Sequence, residues 1–131
     1  MSDARGQLRL QLFEKALAAL RLALQQPEDE FVRDSIIKRF ELSYETLRKC
    51  LRDWLLEQEE IDVHATRKDV MEAALRTGLV EGAELWDDIR KQRNDCSHEY
   101  DAARAIVAVS FIRDKAFVAF EAVLDELKHR L

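Results

Sequence analysis

Four residues in one short stretch carry side chains suited to work on a phosphate. They are Arg93, Asn94, His98 and Tyr100, within "RKQRNDCSHEYDAARA" from Arg90 to Ala105. Arginine offers a permanently charged, forked donor set that matches phosphate oxygens, and histidine carries a proton near neutral pH. Together they suit phosphodiester cleavage without a metal. The histidine would move a proton to or from a 2′-hydroxyl or a departing oxygen, while the arginine steadies the growing negative charge. General acid–base action contributes about 10² to 10⁴ in rate. One histidine supplies only part of that, so a dimer uniting two copies makes a more complete catalyst.

The spacing imposes a condition. In an uninterrupted helix, Arg93 and His98 stand about 140° apart around the axis, whereas Asn94 and His98, at i and i+4, share a face. Arg93 and His98 therefore converge only if the chain bends between them or if they reach across subunits. Ser97 and Asp101 can each cap the start of a helix and supply that bend. The same residues also fit an ordinary helix end. There, Arg93 would pair with Asp95, Glu99 or Asp87, His98 would bond a backbone carbonyl, and Tyr100 would sit at the edge of the core.

The elements that must hold this segment read as helices. The 131 residues are 47% hydrophobic and 36% charged, with three glycines and one proline. That composition predicts an all-α fold, one domain over residues 1–131, with about two-thirds of the extended surface buried. Leu10, Phe13, Leu17, Leu20 and Leu24 mark one face of a first helix over about Leu8 to Gln25. "QQPEDE" then stops the chain and opens a second helix, with proline suited to its first turn, running to about Glu59. Its inward stripe is Ile36, Phe40, Tyr44, Leu47, Leu51 and Trp54.

Thr66 with Asp69 resembles a capping box for a third helix to about Arg76, closed by Gly78. A fourth carries Leu85, Trp86 and Ile89 towards Asn94. The last begins between Ser97 and Asp101 and continues almost to Leu131 without a glycine or proline. It is apolar around much of its girth and so expects neighbours on more than one side. The reading is an up-and-down antiparallel bundle of about five helices, with the second and fifth long. About 30 helical residues span roughly 45 Å, a length that calls for a matching partner or a second subunit, hence a homodimer.

Other classes are disfavoured. A net charge of −5 argues mildly against tight, non-specific binding of nucleic acid such as RNA, though not against a local phosphate site. No basic, apolar and small-residue succession of a signal peptide opens the chain, and no apolar run is long enough for a membrane span. Cys50 and Cys96 are too few for a disulfide framework and lack metal-ligand spacing. A cytoplasmic protein without metal or cofactor is expected. His64 and His129 read as surface residues, Asp87 and Asp88 as no defensible glycosidase pair, and Trp54 and Trp86 as packing residues. The chain has neither a glycine-rich phosphate loop nor the glycine–serine and spaced carboxylates of a nucleotidyltransferase catalytic subunit.

Three stretches carry a family resemblance: "VRDSIIKRFELSYETLRKCLRDWL", "TRKDVMEAALRTGLVEGAELWDDI" and "RNDCSHEYD". They are spread from Val32 to Asp101, and the chain resembles the nucleotidyltransferase substrate-binding protein family of the HEPN superfamily. The resemblance implies an up-and-down helical bundle, a homodimer, and a partner that is a minimal nucleotidyltransferase encoded nearby. The superfamily's ribonuclease motif is an arginine, a polar residue, three variable positions and a histidine; Arg93, Asn94 and His98 match it. In related toxins of two-component systems, a tyrosine two positions after the histidine accepts AMP groups from the nucleotidyltransferase and the toxin falls silent. Tyr100 stands at that position. Two roles follow from the resemblance: a non-catalytic subunit that binds its nucleotidyltransferase, or a metal-independent endoribonuclease neutralised through Tyr100.

Overall fold

Leu17, Leu20, Ile36, Phe40, Leu47 and Leu51 recur at helical spacing, and all are completely buried. The structure, a computed structural model, describes residues 4–63, 67–95 and 101–130. Among the described residues every regular element is helical. The elements are α1 (Ala4–Leu24), α2 (Glu30–Glu59), α3 (Arg67–Arg76), α4 (Ala83–Asp95), α5 (Ala102–Phe111), a π-helical turn (Ile112–Ala116) and α6 (Phe117–Arg130). The segments after Asp101 follow one another without a break, so the described chain makes five helical rods, as expected from its composition. No helix among the described residues is long and apolar enough to cross a membrane.

Cross-links set the directions of the rods. Arg39 on α2 donates to the carbonyl of Ala19 on α1 at 2.7 Å, and Arg9 on α1 donates to Asp53 on α2 at 3.1 Å. Early α1 thus meets late α2, and the two run antiparallel. Arg21 pairs with Glu121 at 3.1 Å, and Lys128 pairs with Glu14, so α6 also runs against α1. Asp53 is buried and stands at 3.1 to 3.6 Å from Arg9, Arg5 and Arg52. A carboxylate so far from water persists because cations surround it.

The caps follow local chemistry. Asp29 accepts the Val32 amide at 2.8 Å and opens α2. Pro27 therefore lies in the connection rather than in the first helical turn, because the aspartate two residues later takes the orphan amide. Gly78 turns left-handed at φ 78°, and the Leu79 amide reaches back to the Ala74 carbonyl at 3.0 Å, closing α3 as its glycine predicts. The proposed cap at Thr66 lies outside the described residues.

The last rod departs from expectation. Its sequence predicts unbroken α-helix, yet Ile112–Ala116 forms a π turn in which the Phe117 amide bonds the Ile112 carbonyl. Ile112 and Ala116 are both fully buried, while Arg113 between them reaches the Leu24 carbonyl at 3.4 Å and Glu28 at 3.1 Å. Trp54 is half-buried at the margin of the core rather than a full member of the inward stripe.

Aromatic rings meet at one centre. Phe120 stacks on Phe40 at 5.8 Å, meets Phe13 edge-on at 6.3 Å, and contacts Tyr44 at 6.5 Å and Trp86 at 5.9 Å. It thereby joins α1, α2, α4 and α6. Phe120→Ala is expected to cost about 3–5 kcal/mol of stability, against much less for Phe120→Leu. Urea denaturation checks this; equal losses for the two variants would show that ring packing at this centre is unimportant.

Candidate active site

Trp86 and Ile89 form the buried face of α4, and Arg93 follows Trp86 by about two turns on the same face. That register aims Arg93 at α2. Its side chain is 13% exposed, with Nη1 at 3.9 Å from Glu41 and Nη2 at 3.7 Å from Glu45. Glu45 also faces Arg48, which donates to it from Nε and Nη2 at 3.4 and 3.3 Å. The Nε of Arg93 is buried and has no hydrogen-bond partner among the described residues. A buried guanidinium with an uncommitted donor suits an oxyanion in a way that a solvated surface arginine does not.

Of the partners open to Arg93 from spacing alone, Asp87 and Asp95 are not what the fold pairs with it, and Glu99 lies outside the described residues. Asp87 takes Arg90 at 2.9 Å and Lys91 at 3.1 Å, one turn along its own face, and the Arg90 and Lys91 bonds hold its carboxyl below the usual range. Asp95 is exposed. Glu41 and Glu45 escaped the sequence reading because they lie on another helix. Their one local signal is that each directly follows a core aromatic, Phe40 and Tyr44, on the same i, i+4 spacing.

Asn94 is exposed. α4 ends at Asp95, and Asp101 is extended and accepts the Arg104 amide at 2.8 Å, starting α5. The cap expected at Ser97 or Asp101 is thus supplied by Asp101. His98 and Tyr100 lie outside the described residues, as do Ser97, Cys96 and His64. A separate groove of about 610 Å³ opens near the other end of α4, lined by Leu79, Leu85, Trp86, Val118 and Val123 among others. His129 is exposed in the last turn of α6, in keeping with a surface role.

Cys50 is the cysteine among the described residues, a side chain of a type that can act as a nucleophile. It is 4% exposed, and its thiol is pushed up to about 12, chiefly by burial and then by the Asp53 carboxylate, with Arg9 acting the other way. A thiol kept protonated is a packing group, not a nucleophile.

Three comparisons extend this picture. The family described as "Nucleotidyltransferase substrate binding protein like" matches residues 8–129. A Haemophilus influenzae protein named "Probable ribonuclease HepT" is 29% identical over 91 residues, covering 70% of this chain and 61% of that protein. The chain thus aligns with less than two-thirds of that relative's length. A crystal structure of a Thermus thermophilus protein superposes with a TM-score of 0.75 at 26% identity, covering 90% of this chain and 97% of that one.

In a Cys96→Ser background, Cys50 is expected to stay unmodified by Ellman's reagent at pH 8 in the native protein and to react fully in guanidinium chloride. Its raised value also makes stability fall with pH. The contribution is whole below the unfolded value near 9.0 and is lost as pH rises towards about 12. Urea midpoints for this background and its Cys50→Ala derivative should diverge in slope across that window; parallel curves would refute the assignment.

Proposed function

Because the chain belongs to the nucleotidyltransferase substrate binding protein like family, we propose that it is a metal-independent endoribonuclease whose activity a nucleotidyltransferase partner controls. The observation that carries the enzymatic part is Arg93, buried beside α2 with an uncommitted Nε donor, five positions before a histidine. Similarity to the protein named "Probable ribonuclease HepT" supports the same reading.

In this proposal, Arg93, Asn94 and His98 are the catalytic residues. A His98 ring nitrogen removes the proton from a ribose 2′-hydroxyl, and the freed oxygen attacks the adjacent phosphorus. The bond from phosphorus to the 5′-oxygen breaks, and that oxygen departs with a proton from the histidine of a second copy. The products are a 2′,3′-cyclic phosphate and a 5′-hydroxyl. Arg93 neutralises charge on the non-bridging oxygens during the transfer, and Asn94 orients the phosphate or the ring. A homodimer is part of the proposal, since α5 leaves Ile106 49% and Val107 68% exposed just after the site.

RNA cleavage in EDTA tests the mechanism. His98→Ala and Arg93→Gln are each expected to lose at least about 10²-fold in rate. Undiminished cleavage by His98→Ala would sink it.

A second role is proposed, of which the nucleotidyltransferase partner is supported by the family's description. The dimer binds a minimal nucleotidyltransferase, and Tyr100 accepts AMP from it. Each AMP brings a phosphodiester charge near Arg93 and His98 and competes for the place of a substrate phosphate. Mixing the chain with the nucleotidyltransferase encoded beside it, Mg²⁺ and ATP should yield a stable complex and adducts of about 329 Da each. Intact mass showing no adduct, or one retained by Tyr100→Phe, would refute the modification site.

A further inference from the structure

We propose that Glu45, assisted by Glu41, is a positioning residue for Arg93, fixing the guanidinium plane for its work on the phosphate; this rests on the ribonuclease reading above. The two Nη atoms of Arg93 stand 3.9 and 3.7 Å from Glu41 and Glu45. Those separations are too long for hydrogen bonds but close enough for strong Coulombic attraction in a half-buried setting. The carboxylates therefore hold the guanidinium without consuming its donors. The Nη N–H groups are thereby left for non-bridging phosphate oxygens, while Nε is buried and makes no hydrogen bond among the described residues.

Glu45 is itself restrained. Its Oε2 takes both Arg48 bonds, at 3.3 and 3.4 Å, while its Oε1 faces Arg93. Arg48 is only 8% exposed, and neighbouring Tyr44 is fully buried, so the backbone and the far oxygen of Glu45 are anchored in the core. Glu41 follows fully buried Phe40 in the same way. The chain of contacts runs Arg48, Glu45, Arg93, from the core to the site. A surface ion pair would be worth little and would orient nothing. This one joins side chains 10%, 23% and 13% exposed, where a lost carboxylate leaves a guanidinium poorly placed.

The arrangement has opposite effects on binding and on rate. The carboxylates reduce the positive field that a ground-state RNA phosphate meets, which weakens binding. By fixing Arg93, they favour the geometry in which charge develops, which speeds the step. Glu45→Gln keeps the side-chain size and removes the charge. It is expected to lower kcat at least about tenfold, since misplacement of a catalytic group by about 1 Å costs as much as 10²-fold. KM should stay level or fall, and Glu45→Asp should recover part of kcat.

Two measurements decide the matter. The first is steady-state RNA cleavage in EDTA by wild type, Glu45→Gln and Glu45→Asp. An unchanged kcat for Glu45→Gln, or a KM that rises while kcat holds, overturns the proposal. The second is the ¹⁵N-resolved Nε–H signal of Arg93, expected to exchange slowly with water in wild type and much faster in Glu45→Gln. If wild type cleaves no RNA, the ribonuclease reading falls and the positioning of Arg93 is judged by this signal alone. A signal equally protected in both proteins overturns the positioning role.

Discussion

The packing of Phe120 against Phe13, Phe40, Tyr44 and Trp86 is the contact on which the rest of the molecule depends. It brings α1, α2, α4 and α6 to one point, and helix geometry propagates that point outward. On α2, burying Phe40 and Tyr44 fixes the direction of the next residue along, about 100° further round, which is Glu41 and Glu45. On α4, burying Trp86 fixes Arg93 two turns later on the same face. The meeting of Arg93 with the two carboxylates is thus a consequence of core packing at a distance. A change in the core that rotated either helix would move the charges before it exposed them.

The energies differ in kind. Thirty or so apolar side chains are buried in the described core, at about 25 cal/mol per Å² of apolar surface, and they supply the stability. The ion pairs of the exposed margin, such as Arg130 with Glu126 at side-chain exposures of 31% and 42%, add at most about 1 kcal/mol each. The two polar centres inside that margin serve different ends. Asp53 among Arg5, Arg9 and Arg52 ties α1 to α2 at their far ends and makes one antiparallel register better than its neighbours. Glu45 between Arg48 and Arg93 leaves an arginine donor uncommitted, which is a poor device for stability and a good one for holding an anion.

Much of this was legible in the sequence, and the exceptions share a physical cause. Helix periodicity located Phe13, Leu17, Phe40, Leu47 and Ile89 in the core because burial there needs only the 3.6-residue repeat. Gly78 and Asp101 announced their ends through backbone freedom and a capping carboxylate. The π turn at Ile112–Ala116 gave no sign, since it inserts neither glycine nor proline into an apolar run that suits α-helix equally well. Glu41 and Glu45 were hidden for another reason. Glutamates on an exposed flank and glutamates facing an arginine of a distant helix look alike until the rotation of both helices is known. Spacing identified Arg93 as a candidate but pointed it towards Asp95, Glu99 or Asp87, because nearness in sequence was the only distance on hand.

Charge balance around Arg93 bears on how, under the proposed function, an acidic chain would act on an acidic polymer. With a net charge of −5 and two carboxylates beside its buried arginine, the chain draws little long-range attraction to RNA. A catalyst so built would gain from orientation what it forgoes in affinity. A fixed guanidinium stabilises charge that develops in the transition state more than charge already present on the substrate. Weak ground-state binding has a further effect. A phosphodiester covalently attached next to the site, as on Tyr100 in the proposed control, is intramolecular and needs no affinity of its own to exclude a loosely held substrate. The carboxylates proposed to make Arg93 a discriminating partner for a transition state would thus make the same site easy to silence by local modification.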